Sequence, residues 1–426
     1  MRVLILTYYW PPSGGSGVQR WLKFVKYLQE FGITPVVYTV DNPDFSIEDT
    51  SLLRDIPEGI EVLKLPIWEP YQLASFFSKE KKSKTNVGFL NSNQSLFCKL
   101  STYIRANYFI PDARMFWIKP SVAYLEKYLK ETPVDLIISS GPPHSLHKIG
   151  LELKQKTAIK WISDFRDPWT EIDYFHQLPL TEKAKKKHFQ MEKEVLLKSD
   201  AVIVVGKTMR QNYLKFNTNT VAITNGFDSI TEPQETILDS MFSITHIGMM
   251  NEDRNPLILW KALASLSKEI KGFSKNLTIQ FIGKLDTSVI EAIEENGLKQ
   301  NTELISYLPH EEVYEYQKKS QLLLLAVNNV PSAKGIITGK IFEYLVAKRP
   351  ILAIGPKDGD LAEILEETES GKIVGFKDFD NLKTVLKEYY QEYLKKELKV
   401  SSKGIDKYHR KELTKELARL IKKTVQ

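Results

Sequence analysis

The chain is 426 residues long, 42% apolar and 26% charged, and its 59 basic and 53 acidic side chains leave a net charge of +6. That composition excludes a disordered tail, collagen and a coiled coil, and at about 100–200 residues per domain it bounds the chain at two or three domains. The longest purely apolar runs, such as Leu322 to Val327, fall far short of the ~20 residues of a membrane span; charge this mild and dispersed does not describe a nucleic-acid binder, but it suits anionic ligands or an anionic membrane surface.

Cys98 is the only cysteine, so no intrachain disulfide, cysteine-based zinc site or two-cysteine redox motif can form, which fits a reducing compartment. Met1 runs directly into Arg2-Val-Leu-Ile-Leu-Thr-Tyr-Tyr, a strand pattern without the charged start and cleavage site of a secretory signal. A cytoplasmic location is therefore expected.

Short branched apolar runs alternate with segments of helical period, the signature of βαβ units and parallel sheets. Strands are predicted over 3–8, 35–40, 62–66, 135–140, 159–163, 201–206 and 221–225, with helices over 18–31, 122–129 and 182–198. Residues 229–239 lack apolar periodicity, contain Pro233, and read as a linker. The alternation then restarts, with strands over 243–248, 278–283, 303–307, 322–326, 351–354 and 372–376 and helices around 256–270, 310–319, 339–348, 360–367 and 380–396. The expected fold class is α/β, two Rossmann-like doubly wound domains facing a cleft: 1–230, 231–404, and a last helix in 405–426 that packs back on the first domain.

An insertion at about 71–119 interrupts the rhythm with Phe76, Phe77, Phe89, Phe97, Tyr103, Tyr108, Phe109, Phe116 and Trp117 among Lys79, Lys81, Lys82, Lys84, Lys99, Arg105, Arg114 and Lys119. It suits an interfacial element on anionic lipid or a lipid-linked substrate; core aromatics beside a solvated lysine loop would read alike.

Four places carry polar residues where strands end. Trp10-Pro-Pro-Ser-Gly14-Gly15-Ser-Gly17 precedes the first helix, where glycines let amides approach an oxyanion, although a tight turn uses the same residues. It matches neither the dinucleotide fingerprint nor the Walker loop. Ser139-Ser-Gly-Pro-Pro-His144 puts a histidine at a strand end, as a site residue or a helix cap, while His147 reads as structural. Asp164-Phe-Arg166-Asp167 ends the next strand with charges that need partners, either a site or an internal clamp. Asp164, Arg166, Asp167 and His144 are the catalytic candidates.

In the second half, Gly335-Ile-Ile-Thr338-Gly339-Lys340-Ile-Phe-Glu343 leads a loop into a helix. Thr338 is expected to cap it, Gly339 and Lys340 to offer amides to a diphosphate, and Glu343, one turn on, to reach two vicinal hydroxyls. Arg254 follows the first strand of this half and could meet a phosphate. Asp358-Gly-Asp360 resembles a metal-binding pair, but Asp360 reads more simply as a helix cap. No metal and no cofactor is expected.

These motifs, together with Asn225-Gly226-Phe227-Asp228 and Leu308-Pro309-His310-Glu311 in this order, resemble bacterial glycosyltransferases of the GT-B fold, close to the retaining family 4, over essentially the whole length. The resemblance implies a nucleotide diphosphate sugar as donor substrate, with Glu343 on its ribose, the amides of Thr338 to Lys340 on its diphosphate and Arg254 in place of the family's lysine. Leu308, Pro309 and His310 would meet the base, and Gly14, Gly15 and Gly17 would border the phosphates and the acceptor. It also implies a hexosyltransferase that acts with retention on a glycan or polyprenyl-linked acceptor in surface polysaccharide or lipopolysaccharide assembly, peripheral on the inner membrane face, with no nucleic-acid partner. Gly335 stands where the family has a second glutamate, Met249 where it has an arginine, and Arg166 where it often has a histidine. A nucleotide-sugar epimerase of the same architecture and a catalytically silent sugar-nucleotide-binding protein are the alternatives.

Overall fold

In β1 (Arg2–Leu6), Val3 to Leu6 are wholly buried, which requires a sheet covered on both faces and so parallel strands joined by crossover helices. The computed structural model describes residues 1–43, 48–68, 96–228, 236–306, 308 and 310–426. β1 is followed by β2 (Thr34–Val40), β3 (Glu61–Leu65), β4 (Leu136–Gly141), β5 (Lys160–Phe165), β6 (Ala201–Val204) and β7 (Thr220–Ala222). They form one parallel sheet in the order β3-β2-β1-β4-β5-β6-β7.

The second sheet runs β10-β9-β8-β11-β12-β13, again parallel, from β8 (Phe242–Ile247), β9 (Leu277–Ile282), β10 (Thr302–Ile305), β11 (Leu322–Ala326), β12 (Ile351–Ile354) and β13 (Gly371–Val374). Its core includes Trp260, Phe242, Phe273, Phe281 and Tyr390. Each predicted strand is present, with ends that differ by a few residues because the last residues of several runs turn into loops. Both units are doubly wound and Rossmann-like.

The chain divides into two compact units, Met1–Asn225 with Arg410–Gln426, and Gly226–His409. The first boundary thus precedes the expected 230, and most of the predicted linker, 229–235, lies outside the described residues. The second follows 404 because the turn Ile405–Tyr408 buries Ile405 and Tyr408 in the second unit. Only the helix Arg410–Val425 joins the first unit. Its Leu413, Leu417, Ala418, Leu420 and Ile421 share an apolar cluster with Val18, Trp21, Leu22 and Val25 of the helix Ser16–Leu28. At its start the Arg410 guanidinium donates to the Gln19 carbonyl at 3.0 Å.

Residues 69–95 of the aromatic and basic insertion, including Phe76, Phe77, Phe89 and Lys79 to Lys84, lie outside the described residues. The described remainder divides. Trp117 is buried in the core, whereas Leu100, Tyr103, Ile104 and Tyr108 of the helix Leu96–Tyr108, and Phe116 after it, are exposed. Among the described residues no helix is long and apolar enough to cross a membrane.

Candidate functional site

Sheet order fixes where ligands can enter. In the first unit β1 and β4 are neighbours, and in the second β8 and β11 are; from each pair the chain winds away to opposite sides, opening a crevice at the C-terminal strand ends. The loops after β1 and β4 carry the glycine-rich turn and His144, and those after β8 and β11 carry Arg254 and the approach to Lys340.

In the first unit Gly15 holds φ +87° just before the helix Ser16–Leu28, a conformation that favours glycine. At Gly17 a Cβ would stand 2.8 Å from Nη1 of Arg166 and 3.3 Å from the Tyr9 ring. That close approach has a purpose: Arg166 Nη1 donates to the Gly17 carbonyl at 2.8 Å and Nη2 to the Pro142 carbonyl at 2.6 Å, with the guanidinium 5.3 Å from the Tyr9 ring centre. Arg166 thereby ties the first turn of the helix Ser16–Leu28 to the loops after β4 and β5. Beside it Asp167 is exposed, yet protein crowded around it withholds solvent and raises its carboxyl above the usual range, against the pull of Arg166.

Asp164, one of the catalytic candidates, sits as an internal anchor. It is wholly buried and accepts from Arg20 Nη2 at 2.8 Å, Trp21 Nε1 at 2.8 Å and Ser140 Oγ at 3.0 Å. Arg20, also buried, donates further to the carbonyls of Ile223 at 2.8 Å and Thr224 at 3.0 Å. Its oxygens face protein donors rather than the open end of the strand. The sequence reading missed Arg20, which lies inside the apolar stripe of its helix.

His144 is buried and stacks on Trp169, the ring centres 4.5 Å apart. Burial, then the neighbouring His147, holds its pKa well below the ordinary value, and burial lowers His147 to about 3, so both are neutral near pH 7. His144 precedes the helix Ser145–Thr157 without capping it through its side chain. Asp112 does so instead, accepting from the Ser145 amide at 2.9 Å and the Ser145 hydroxyl at 2.8 Å. That helix start is therefore already supplied with a carboxylate. Beneath, Trp169 donates to His188 Nδ1 at 3.0 Å, and the buried Glu192 accepts from Tyr213 at 2.6 Å and from Thr170.

In the second unit the helix Lys340–Ala347 starts where the sequence suggested, but its cap is Gly339, and Thr338 lies one residue outside. The Thr338 carbonyl accepts from the Ile341 amide at 3.2 Å, while its hydroxyl oxygen is buried without a partner. Gly335 closes the short turn Ala333–Gly335. Glu343 accepts from the buried Gln317 at 3.1 Å. Ile341 and Leu345 are buried, so this helix also belongs to the core.

Arg254 donates through Nε to Asn328 at 2.9 Å and through Nη1 to the Met249 carbonyl at 3.2 Å, which braces the loops after β8 and β11 against each other. Between them stands Gly248, at φ +91°, where a Cβ would meet Lys340 Cε at 2.8 Å and Nζ at 2.9 Å. Arg254, Lys340, Gly339 and Glu343 thus gather at one crevice: cations and a helix start suited to an anion, with a carboxylate one turn deeper. Leu308 is half-buried, Pro309 lies outside the described residues, and His310 begins the helix His310–Lys319 with its side chain outside them too. Asp358 pairs with Lys334, and Asp360 is the first residue of the helix Asp360–Thr368, whose cap is Gly359. Among the described residues no three His, Cys, Asp or Glu side chains are grouped to hold a metal ion.

Two doubly wound units of this kind define a chain of the GT-B type. Its structure is similar to sucrose-phosphate synthase from Thermosynechococcus elongatus, at 14% identity over 99% of this chain and 98% of that chain, with a TM-score of 0.62. It is likewise similar to Anabaena HepE in complex with UDP, at 13% identity over 99% and 100% and a TM-score of 0.65. WaaG, a glycosyltransferase involved in lipopolysaccharide biosynthesis, matches at 14% identity over 99% and 98%, with a TM-score of 0.54. No family model and no curated protein matches the chain in sequence.

Proposed function

We propose that the protein is a glycosyltransferase that moves a hexose from a nucleotide diphosphate sugar to a glycan or lipid-linked glycan, with retention, in surface polysaccharide biosynthesis. The observation that carries the reading is the crevice of the second unit, where Lys340 and Arg254 stand at the start of the helix that bears Glu343. Similar structures bound to UDP, and to UDP with glucose, support a nucleotide-sugar donor. In this reaction the bond from the anomeric carbon to the β-phosphate oxygen breaks with its electron pair on the phosphate. The acceptor hydroxyl forms the new bond to that carbon and gives up its proton to the departing phosphate oxygen. Catalysis is then chiefly positioning and neutralisation of the leaving diphosphate, which cations and amides supply without a metal.

The first unit is the acceptor side in this reading, with Asp167, Arg166 and the turn Gly14 to Gly17 as its polar lining. The exposed Leu100, Tyr103, Ile104 and Tyr108 beside Lys99 and Arg105 favour an acceptor carried at an anionic membrane surface.

The test is a thermal-shift panel of UDP-, GDP-, ADP- and TDP-sugars. A ligand at a hundred times its Kd stabilises the fold by about 2.7 kcal/mol. One nucleotide is expected to respond, and Glu343→Ala to abolish the response by removing the ribose contact. A shift that Glu343→Ala leaves intact removes the ribose role; no shift from any nucleotide sugar sinks the donor reading.

A further inference from the structure

β8 and β11 stay paired with their outer neighbours to their last residues, Ile247 with Ile282 on β9 and Ala326 with Ile354 on β12. With each other they pair only as far as Thr245 and Leu323. Alternate residues of a strand face opposite neighbours, and the Gly248 amide serves the Ile282 carbonyl of β9 at 2.7 Å, so the Ile247 amide faces β11. In a parallel ladder the next rung would join that amide to the Leu324 carbonyl. The Tyr344 hydroxyl stands in its place. It accepts from the Ile247 amide at 3.2 Å and donates to the Leu324 carbonyl at 3.4 Å, and His246 Nδ1 donates to the same carbonyl at 3.2 Å.

The strands thus part around one phenol oxygen. Parting them strips a buried amide and a buried carbonyl of their partners, which is costly unless a group that both accepts and donates fills the gap. A tyrosine does so and a phenylalanine cannot. Tyr344 is wholly buried and belongs to the helix Lys340–Ala347, so its two bonds seat that helix on both strands at once. Glu343, the residue before it, turns instead to Gln317. Beyond the gap the two loops meet again, through Arg254 Nε on Asn328 at 2.9 Å and the Asn329 amide on the Asp253 carbonyl at 2.7 Å. The opening between β8 and β11 is therefore fixed at both ends.

We propose that Tyr344 is a positioning residue. Its hydroxyl, wedged into the β8–β11 ladder, sets the width of the crevice and, through its helix, the placement of Lys340 and Glu343 toward the donor. The inference rests on the donor reading above and adds to it a residue that shapes the site from the core.

The experiment compares Tyr344→Phe with Tyr390→Phe. Tyr390 is a buried tyrosine of the same unit, packed on Phe242 at the opposite end of β8, and its hydroxyl accepts from Asn276 Nδ2 at 2.9 Å. Each variant removes one buried hydroxyl, and both should lower the Tm by only a few degrees. Titration calorimetry of UDP-glucose, and in parallel ADP-, GDP- and TDP-sugars, on the full chain identifies the nucleotide that binds. Its Kd is expected to rise about tenfold or more in Tyr344→Phe and to stay within about twofold in Tyr390→Phe. A crystal structure of Tyr344→Phe is expected to show the rung closed, the Ile247 amide nitrogen about 2.9 Å from the Leu324 carbonyl oxygen. Native affinity in Tyr344→Phe, equal losses in both variants, or strands that stay parted without the hydroxyl overturn this inference and leave the donor reading standing. Failure of every nucleotide sugar to bind the native chain overturns both.

Discussion

A carboxylate at the end of a buried strand can serve chemistry or architecture, and the donors around it decide. Around Asp164 they are Arg20, Trp21 and Ser140, all within 3.2 Å and all buried, so the charge is consumed in holding the first helix and the segment Ile223–Asn225 to β5. Arg166, two residues on, bonds carbonyls of the first helix turn and of the loop after β4. Their substitutions should therefore differ in kind. Asp164→Ala leaves the Arg20 guanidinium buried and uncompensated, at an expected cost of about 3–5 kcal/mol. Arg166→Ala removes a donor from the Gly17 carbonyl, which its helix still serves, and from the Pro142 carbonyl beside solvent, and should cost only about 1–3 kcal/mol. Chemical denaturation followed by probes in each unit measures both, and a loss under about 1 kcal/mol for Asp164→Ala would show that the pair does not anchor the fold.

At the scale of elements, tight packing reverses an ordinary rule. Gly150 lies within the helix Ser145–Thr157, where exchange for alanine usually stabilises by about 1 kcal/mol. Here an added Cβ would stand 2.3 Å from Nε1 of Trp161, which is wholly buried and bonded to Ser139 Oγ at 2.9 Å. Gly150→Ala should instead destabilise by about 1–3 kcal/mol, read as a lowered Tm; a raised Tm would mean that the indole can shift freely. The same helix shows what a sequence conceals. Strands were legible because each is a short continuous apolar run, and the helix at Lys340 because its loop, cap region and carboxylate lie within nine residues of one another. The helix Ser145–Thr157 was anticipated only at its start, by His144, and its extent was not legible because His147 and Gly150 interrupt its apolar stripe, although both are buried. Partners distant in sequence were out of reach in principle: Arg20 for Asp164, Asp112 for Ser145, Gln317 for Glu343. No periodicity encodes a contact between residues on different elements.

At the scale of the whole molecule, the chain leaves its first unit at Asn225 and returns to it at Arg410. The returning helix supplies Leu413, Leu417 and Ile421 to a cluster that also holds Val18, Trp21 and Val25 of the helix following the glycine-rich turn. The apolar stripe of that first helix is therefore completed by residues from the far end of the sequence, and the geometry of Gly15 and Gly17 depends on them. The crevice around Lys340, Arg254 and Glu343, proposed above for the donor, is built within the second unit alone. Damage to the last helix should therefore divide structure from donor binding. Leu417 is wholly buried, and Leu417→Ala should cost about 2–5 kcal/mol. Hydrogen exchange is expected to quicken in β1, β4 and the helix Ser16–Leu28, while β8 to β13 keep their protection and nucleotide-sugar affinity stays within about twofold. Under the proposed function, transfer to an acceptor should fall all the same, because the turn proposed to line the acceptor side loses its support. Equal loosening of both sheets would contradict this division, since it would require the second unit to draw its stability from the first rather than from the core around Trp260 and Phe281.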